Sequence, residues 1–331
     1  MNYSIVIRTL GTTGEKYGKL LESIKALHTQ PQEVVVVLPH GYALPPEQLG
    51  TERFAFSDKG MIWQRAAGYR EAKGDYFLVV DDDVYLPPDL PEKLYAPIRD
   101  EGADVTFPID LDFLPPNKLS TLMGLINLNS MPMLWNKKNW YVRVLKNGGW
   151  TYHRVPSDAK SSYLSHSFPG TCHFGKREAL QKIDLEKEAW CEKCAYALYE
   201  DQVLAYKLFL NSYVIRGVPH TGFIHLNAGG NSPDRPFNAA YALIKNRIIF
   251  WHRFIYLPSK NAWQRFCAKV SFKTWLLVGD VIHGITGTFF KNRVMGSPRL
   301  IKARRDGKKD GFAYLETEEY KSLPPVVKRE E

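Results

Sequence analysis

Three nearly continuous apolar runs near the start of the chain constrain its fold more than any other feature. They lie at residues 3–8 (YSIVIR), 33–38 (EVVVVL) and 75–80 (DYFLVV). A strand with one wet face alternates apolar and polar residues, whereas a strand covered on both faces does not, so these runs read as interior strands of a parallel sheet. Helical stretches at about residues 16–27 and 61–72 separate them, the second leading through Gly74 into the third strand. Strand, helix, strand, helix, strand implies right-handed βαβ units and an α/β fold. Residues 105–109 offer one further strand.

The middle of the chain is less regular. Leu119, Leu122, Met123 and Ile126 fall at helical spacing, and an aromatic, basic stretch runs from Trp135 to Tyr152. That stretch suits a binding loop or a small antiparallel insertion, in which Trp135, Trp140, Tyr141, Trp150 and Tyr152 either stack on sugar rings or anchor a core. Residues 170–174 read as a strand, residues 196–210 as a helix opening near Glu200-Asp201, and residues 213–216 and 222–225 as short strands. After a polar, Gly/Pro-rich loop come two helices. The first carries the stripe Tyr241, Ile244, Ile248, Trp251 and Ile255, and the second spans about residues 262–289.

Chemistry concentrates at Asp81-Asp82-Asp83, directly after the third apolar run. In open α/β sheets ligands bind outside the carboxyl ends of the strands, which is where these side chains fall. Adjacent carboxylates repel, and a hard divalent cation that bridges them to phosphate oxygens offsets the repulsion. The plainer alternative is an acidic turn capping the next helix.

Further segments, in order, make a more specific pattern. The ordered set resembles the family-2 inverting glycosyltransferases of the GT-A fold. Residues 3–9 (YSIVIRT) resemble the first strand. Residues 60–68 (GMIWQRAAG), followed by Ala72-Lys73-Gly74-Asp75, resemble the helix before the metal motif. Glu200-Asp201 resembles an acidic pair at a helix start, His225 with Gly229, Gly230 and Ser232 a closing loop, and Lys245-Asn246-Arg247 the element after it. The resemblance spans about residues 2–250. It implies a mainly parallel central sheet flanked by helices, with a helical C-terminal extension.

Roles follow from that resemblance, position by position. Asp83 and His225 are the implied ligands of Mn2+ or Mg2+, and a neutral imidazole is able to serve in that way. Asp201 is the implied catalytic base. A helix N-terminus favours its ionised form while Glu200 opposes it, and the balance is open at this point. Thr9, Gln64, Arg65, Asp81, Asp82 and Arg235 line the implied donor pocket, with Arg235 closing on the diphosphate from a lid at residues 227–235. Glu200, Trp150 and Gly170 fall on the acceptor side. The second strand ends Val37-Leu38-Pro39-His40, without the acidic pair that helps such enzymes read the base, and Arg8-Thr9 replaces their usual proline-threonine. The donor base therefore does not follow.

Charge divides the chain. Of 44 Lys/Arg and 35 Asp/Glu in all, the part from Phe237 onward holds 18 and 8, and its second helix carries Arg265, Lys269 and Lys273 beside large aromatics. Such a helix suits a membrane interface or a packed core, and Asp280 and His283 interrupt it too early for a membrane span. The expected organisation is a catalytic domain over residues 1–235, divided near residue 110 into nucleotide-binding and acceptor-binding halves, and a basic helical region over 236–331. Expected partners are a nucleotide-sugar donor, a glycan or lipid-linked glycan acceptor and an anionic membrane surface. No nucleic-acid signature is present. Four cysteines are few for a disulfide scaffold, and residues 1–6 enter a β-rich segment without a basic, apolar leader, so a cytoplasmic place at the inner membrane face is expected. Cys191-x-x-Cys194 with Cys172-His173 has part of a zinc pattern and reads as reduced thiols. A nucleotidyltransferase acting on sugar phosphates and a non-catalytic glycan-binding module are the rival functions.

Overall fold

A computed structural model of the chain describes residues 1–109, 114–134, 139–226, 232–289 and 296–327. Its first part is β1 (Tyr3–Arg8), α1 (Glu15–Lys25), β2 (Glu33–Pro39), β3 (Arg53–Ser57), α2 (Met61–Glu71) and β4 (Tyr76–Asp81). These strands pair in parallel in the order β3-β2-β1-β4. The continuous apolar runs divide with a period of two. Ile5, Ile7, Val34, Val36, Leu78 and Val80 pack with α1, while Val6, Val35, Val37, Phe77 and Val79 pack on the face that α2 covers. A Cβ on Gly68 of α2 would fall 2.3 Å from Val6 Cγ1, so only glycine lets that helix lie against β1. The strand β3 is absent from the sequence reading because it is an edge strand, with Phe56 45% exposed and charged Arg53 at its start, and no continuous apolar run marks it.

The chain continues through β5 (Val84–Tyr85), α3 (Leu90–Asp100), β6 (Val105–Pro108), α4 (Lys118–Ile126), β7 (Ser130–Pro132), β8 (Trp140–Val144), β9 (Trp150–Tyr152), β10 (Tyr163–Ser165), β11 (Cys172–Lys176) and α5 (Arg177–Gln181). It then runs through α6 (Glu200–Leu210), β12 (Ile215–Val218) and β13 (Ile224–His225). With the first four strands these form an 11-stranded mixed sheet, β3-β2-β1-β4-β11-β6-β12-β10-β8-β9-β7, while β5 and β13 make a separate ribbon. The aromatic stretch forms the antiparallel pair β8–β9 at the far end of this sheet. Tyr141 and Tyr152 are buried there in the main core, whereas Trp140 and Trp150 stay partly exposed. Trp135 lies outside the described residues. The helical spacing at Leu119, Leu122, Met123 and Ile126 gives α4, yet none of its residues is buried: the period fixed the helix and said nothing of what covers it.

At the C-terminal end α7 (Arg235–Phe250) runs on into a wider π-helical turn at Trp251–Tyr256, followed by α8 (Ala262–Phe289), α9 (Pro298–Leu315) and α10 (Glu318–Lys321). The sequence reading stops at α8. Gly307 and Gly311 interrupt the pattern of α9, and packing explains them: a Cβ would lie 2.5 Å from Tyr241 O at the first and 2.9 Å from Ile248 Cδ1 at the second. Thus α9 lies directly on α7. Phe250, Phe254, Tyr314, Tyr320 and Val326 join the same apolar cluster as Phe107, Val203 and Leu208. Among the described residues no helix is long and apolar enough to cross a membrane.

A buried ionic cluster fastens this end to the sheet-bearing part. Glu188 is fully buried and accepts from Lys207 Nζ (2.7 Å), Arg253 Nε (2.7 Å), Arg253 Nη2 (2.8 Å) and Trp190 Nε1 (2.9 Å). Burial alone would raise its carboxyl, but Arg253 and Lys207 hold it below the ordinary value. Truncating one member of such a cluster strands the others in the interior. Glu188→Ala is therefore expected to lower unfolding free energy by about 3–5 kcal/mol, measured by urea denaturation. A loss within the range of a surface substitution would contradict this description of the cluster.

Candidate functional site

The three consecutive aspartates leave the end of β4 toward three different partners. Parallel register sets Arg8 beside Asp81, and Arg8 donates to it twice, from Nε to Oδ1 (2.6 Å) and from Nη2 to Oδ2 (3.0 Å). Asp82 accepts from the Thr9 hydroxyl (2.5 Å) and from the Thr13 hydroxyl. Burial raises the Asp82 carboxyl above its ordinary value, against the opposing pull of those two hydroxyls. Asp83 is buried and faces His225, with Nε2 3.3 Å from Oδ2. The ribbon creates this meeting. His225 pairs with Val84 across β5 and β13, the Leu226 amide donates to the Asp83 carbonyl (2.7 Å), and Lys16 Nζ holds the Leu226 carbonyl (2.9 Å).

The donor set at Asp83 and His225 fits a hard divalent ion of limited protein coordination. One carboxylate and one imidazole leave most positions for substrate phosphate oxygens and water, the habit of Mg2+ in nucleotide sites. No third His, Cys, Asp or Glu joins them as a cluster among the described residues. Asp81 has both oxygens on Arg8, so its place is beside this pair rather than within it.

A second acidic pair opens α6. Glu200 is buried and paired with the fully buried Arg65, and Arg8 Nη2 approaches it at 3.8 Å. Burial would raise Glu200, yet Arg65 and Arg8 hold it ionised and below the ordinary range. Asp201 is different. Its Oδ1 accepts from the Gln202 amide (2.8 Å), which lowers its pKa, but burial and the adjacent Glu200 charge win and push it up to about 6. The balance that sequence leaves open therefore falls on the raising side. Tyr199, one residue before this pair, has φ +78°, a conformation costly for a non-glycine residue, and its hydroxyl on the Gly148 carbonyl (3.2 Å) helps to hold it. The loop facing the pair needs glycine. A Cβ on Gly170 would lie 2.9 Å from both Arg65 Nη2 and Glu200 Oε1, and its carbonyl accepts from Arg65 (3.2 Å).

Other expected positions land as follows. Gln64 is buried and donates to the carbonyls of Thr9 (2.8 Å) and Val37 (2.9 Å), clamping β1 to β2 with the amide that a donor pocket would use. Arg65 is likewise turned inward. Arg235 lies over the Tyr196 ring (5.6 Å to its centroid) at the start of α7. Gly229, Gly230 and most of the expected lid lie outside the described residues. Trp150 sits on β9, half-buried against the core. All four cysteines are free: Cys172 and Cys191 are buried, Cys194 donates toward Asn246, and His173 meets the Tyr69 hydroxyl (2.8 Å). Sequence reasoning missed Arg8, Tyr199 and Glu192. Glu192 accepts from the Ile62 amide (2.6 Å) at the N-terminus of α2. For Arg8 a signal existed: an arginine ending a buried apolar strand needs an anion beside it.

Residues 53–183 match the sequence family described as "Glycosyl transferase family 2". No curated protein matches the chain. Among solved structures it is similar to S. aureus TarS 1-349, at 15% identity over 93% of this chain and 80% of that one, with a TM-score of 0.48. It is also similar to the mannosyltransferase PcManGT from Pyrobaculum calidifontis in complex with GDP-Man and Mn2+ (13% identity, 95% and 88% coverage, TM-score 0.49). A third is GalNAc-T7 with UDP, GalNAc and Mn2+ (14%, 87% and 58%, TM-score 0.47).

The raised Asp201 carboxyl has a consequence for stability. Its folded pKa of about 6 lies above the ordinary 3.8, so between those values the native state binds a proton that the unfolded chain does not. Stability from this group is then largest at low pH and falls as pH rises from about 4 to about 6. Asp201→Asn is expected to melt higher than wild type at pH 7.5, with the difference shrinking below pH ~5. Melting curves across pH that run parallel would contradict the raised carboxyl.

Proposed function

We propose that this chain, whose residues 53–183 match the glycosyl transferase family 2 model, is a metal-dependent glycosyltransferase that moves a sugar from a nucleotide-sugar donor to a hydroxyl of a glycan or lipid-linked glycan acceptor, with inversion. One observation carries this reading. The Asp83–His225 pair and the Glu200-Asp201 pair converge on the carboxyl end of β4, joined through Asp81, Arg8 and Glu200. A divalent ion, Mn2+ or Mg2+, held by Asp83 and His225 would offset charge growing on the departing diphosphate. Asp201, with a carboxyl near 6 and thus ionised at neutral pH, takes the proton of the attacking acceptor hydroxyl. Arg65 and Arg8 keep Glu200 charged, which raises the basicity of Asp201 beside it. Gly170 lets Arg65 and Glu200 pack closely behind that carboxylate, and Trp150 is the aromatic side chain assigned to the acceptor in this reading.

The helical region from residue 236 onward docks the enzyme on the inner face of an anionic membrane in this proposal, with residues 1–235 as the catalytic unit. The support is an exposed stripe along α8, formed by Trp263, Phe266, Val270, Leu277, Val281 and Ile285, with exposed Arg265, Lys269 and Lys273 on the same helix. Aromatic and aliphatic side chains on one face with cations nearby suit an interfacial helix.

Product analysis tests the reaction: a nucleoside diphosphate released from a nucleotide sugar is expected, and pyrophosphate would support nucleotidyl transfer instead. Asp83→Asn should lower turnover by about 10²-fold or more. Asp201→Asn should lower kcat by roughly 10²–10⁴-fold with donor affinity little changed. In the wild type kcat should rise with pH through about 6 as Asp201 loses its proton; an unchanged rate in the Asp201 variant would falsify the base assignment. For the membrane, salt-sensitive flotation with anionic liposomes is expected, weakened by Leu277→Ser. Its absence would end the docking proposal.

A further inference from the structure

Between α7, α8 and α9 lies a cavity of about 560 Å³, well away in sequence from the aspartates of β4. Leu243, Ile244, Trp275, Leu276 and Ile301 make one side of it apolar. Its other side is cationic: Arg304, Arg305 and Lys308 face it from α9. Asp280 pairs with Lys308 at 2.6 Å, which leaves Arg304 and Arg305 uncompensated there. Arg304 has no ion pair or hydrogen bond among the described residues, and burial, with no anion to offset it, lowers its pKa from the ordinary value. His283 adds no charge near neutral pH, since burial and Arg304 push it down to about 4.

A partly buried guanidinium without an anion is an unfavourable arrangement, and its planar fork matches a phosphate in two parallel hydrogen bonds. The apolar wall asks for a different chemistry beside that phosphate. We propose that this cavity binds an anionic lipid, its phosphate on Arg304 and Arg305 and part of its hydrocarbon against Leu243, Leu276 and Ile301. Gly284 on α8 borders open space, since a Cβ there would meet nothing within 4 Å, whereas Gly287 lets Ile301 approach to where a Cβ would lie 2.6 Å from its Cδ1.

The cavity adjoins the acceptor side of the site through Asn129. That side chain forms part of the cavity wall and accepts from Trp275 Nε1 (3.0 Å) and from Arg247, while its carbonyl accepts from the Trp150 amide (3.0 Å). A lipid held here therefore sits one residue contact away from the strand that carries Trp150. The proposal rests on the membrane reading for the source of the lipid, not for the cavity itself.

A water-soluble lipid separates the two. Calorimetric titration of the full chain with dihexanoyl phosphatidic acid, below its micelle concentration, should give one saturable site per chain. Dihexanoylglycerol and inorganic phosphate should each bind at least about tenfold more weakly. Arg304→Gln removes the cation, and Gly284→Leu fills the space while favouring the helix. Both should weaken phosphatidate binding by about tenfold or more without lowering the melting temperature. Phosphate alone binding as tightly would mean a free-phosphate site and overturn the proposal, as would diacylglycerol binding equally well. Unchanged affinity in both variants would also overturn it. A protein that binds the soluble lipid yet fails to float with liposomes would lose the docking reading alone.

Discussion

A chain of alternating charges, Asp81–Arg8–Glu200–Arg65, is the interaction on which the rest of the site depends. It links the ends of two neighbouring parallel strands, the helix packed beneath them and the start of α6. Buried ion pairs contribute little net stability over apolar packing, but they tolerate few geometries, since every member left alone is a stranded charge. That intolerance fixes α6 against β1 and β4. It also sets the electrostatics at the proposed base. Glu200 stays ionised because two guanidiniums face it, and its charge is one reason why Asp201 beside it is a stronger base than an ordinary aspartate.

The same interaction separates the three consecutive aspartates. Asp81 is neutralised by Arg8, Asp82 is held by two threonine hydroxyls, and Asp83 is left toward His225. Mutual repulsion, which in the sequence argued for a cation, is thus partly relieved by the fold. What remains for the proposed cation is the Asp83–His225 pair, two protein donors that substrate phosphates would complete.

Much of the donor half was legible in the residues because burial on both faces leaves a plain mark. β1, β2 and β4 follow the apolar runs, α2 begins where the sequence places it, and α6 opens at the acidic pair Glu200-Asp201, four residues inside the range read from sequence. Weaker marks were lost. β3 is a half-exposed edge, and α9 carries two glycines whose reason is close contact with α7, which no single-sequence pattern displays. Residue types at Asp83, His225, Glu200 and Asp201 were readable through the family resemblance, and the fold brings each pair together. Partner choice was not readable. That Gln64 and Arg65 turn into the core, and that Tyr199 takes a left-handed conformation, depends on strands and loops between 27 and 135 residues away.

The central claim is that Asp83 and His225 share a cation with a diphosphate. Anomalous diffraction from crystals grown with Mn2+ and a nucleoside diphosphate tests it most directly. The account predicts one manganese peak within about 2.1 Å of Asp83 Oδ and His225 Nε2, also contacting the diphosphate. A diphosphate bound with manganese elsewhere, or bound equally well without any metal, would contradict it.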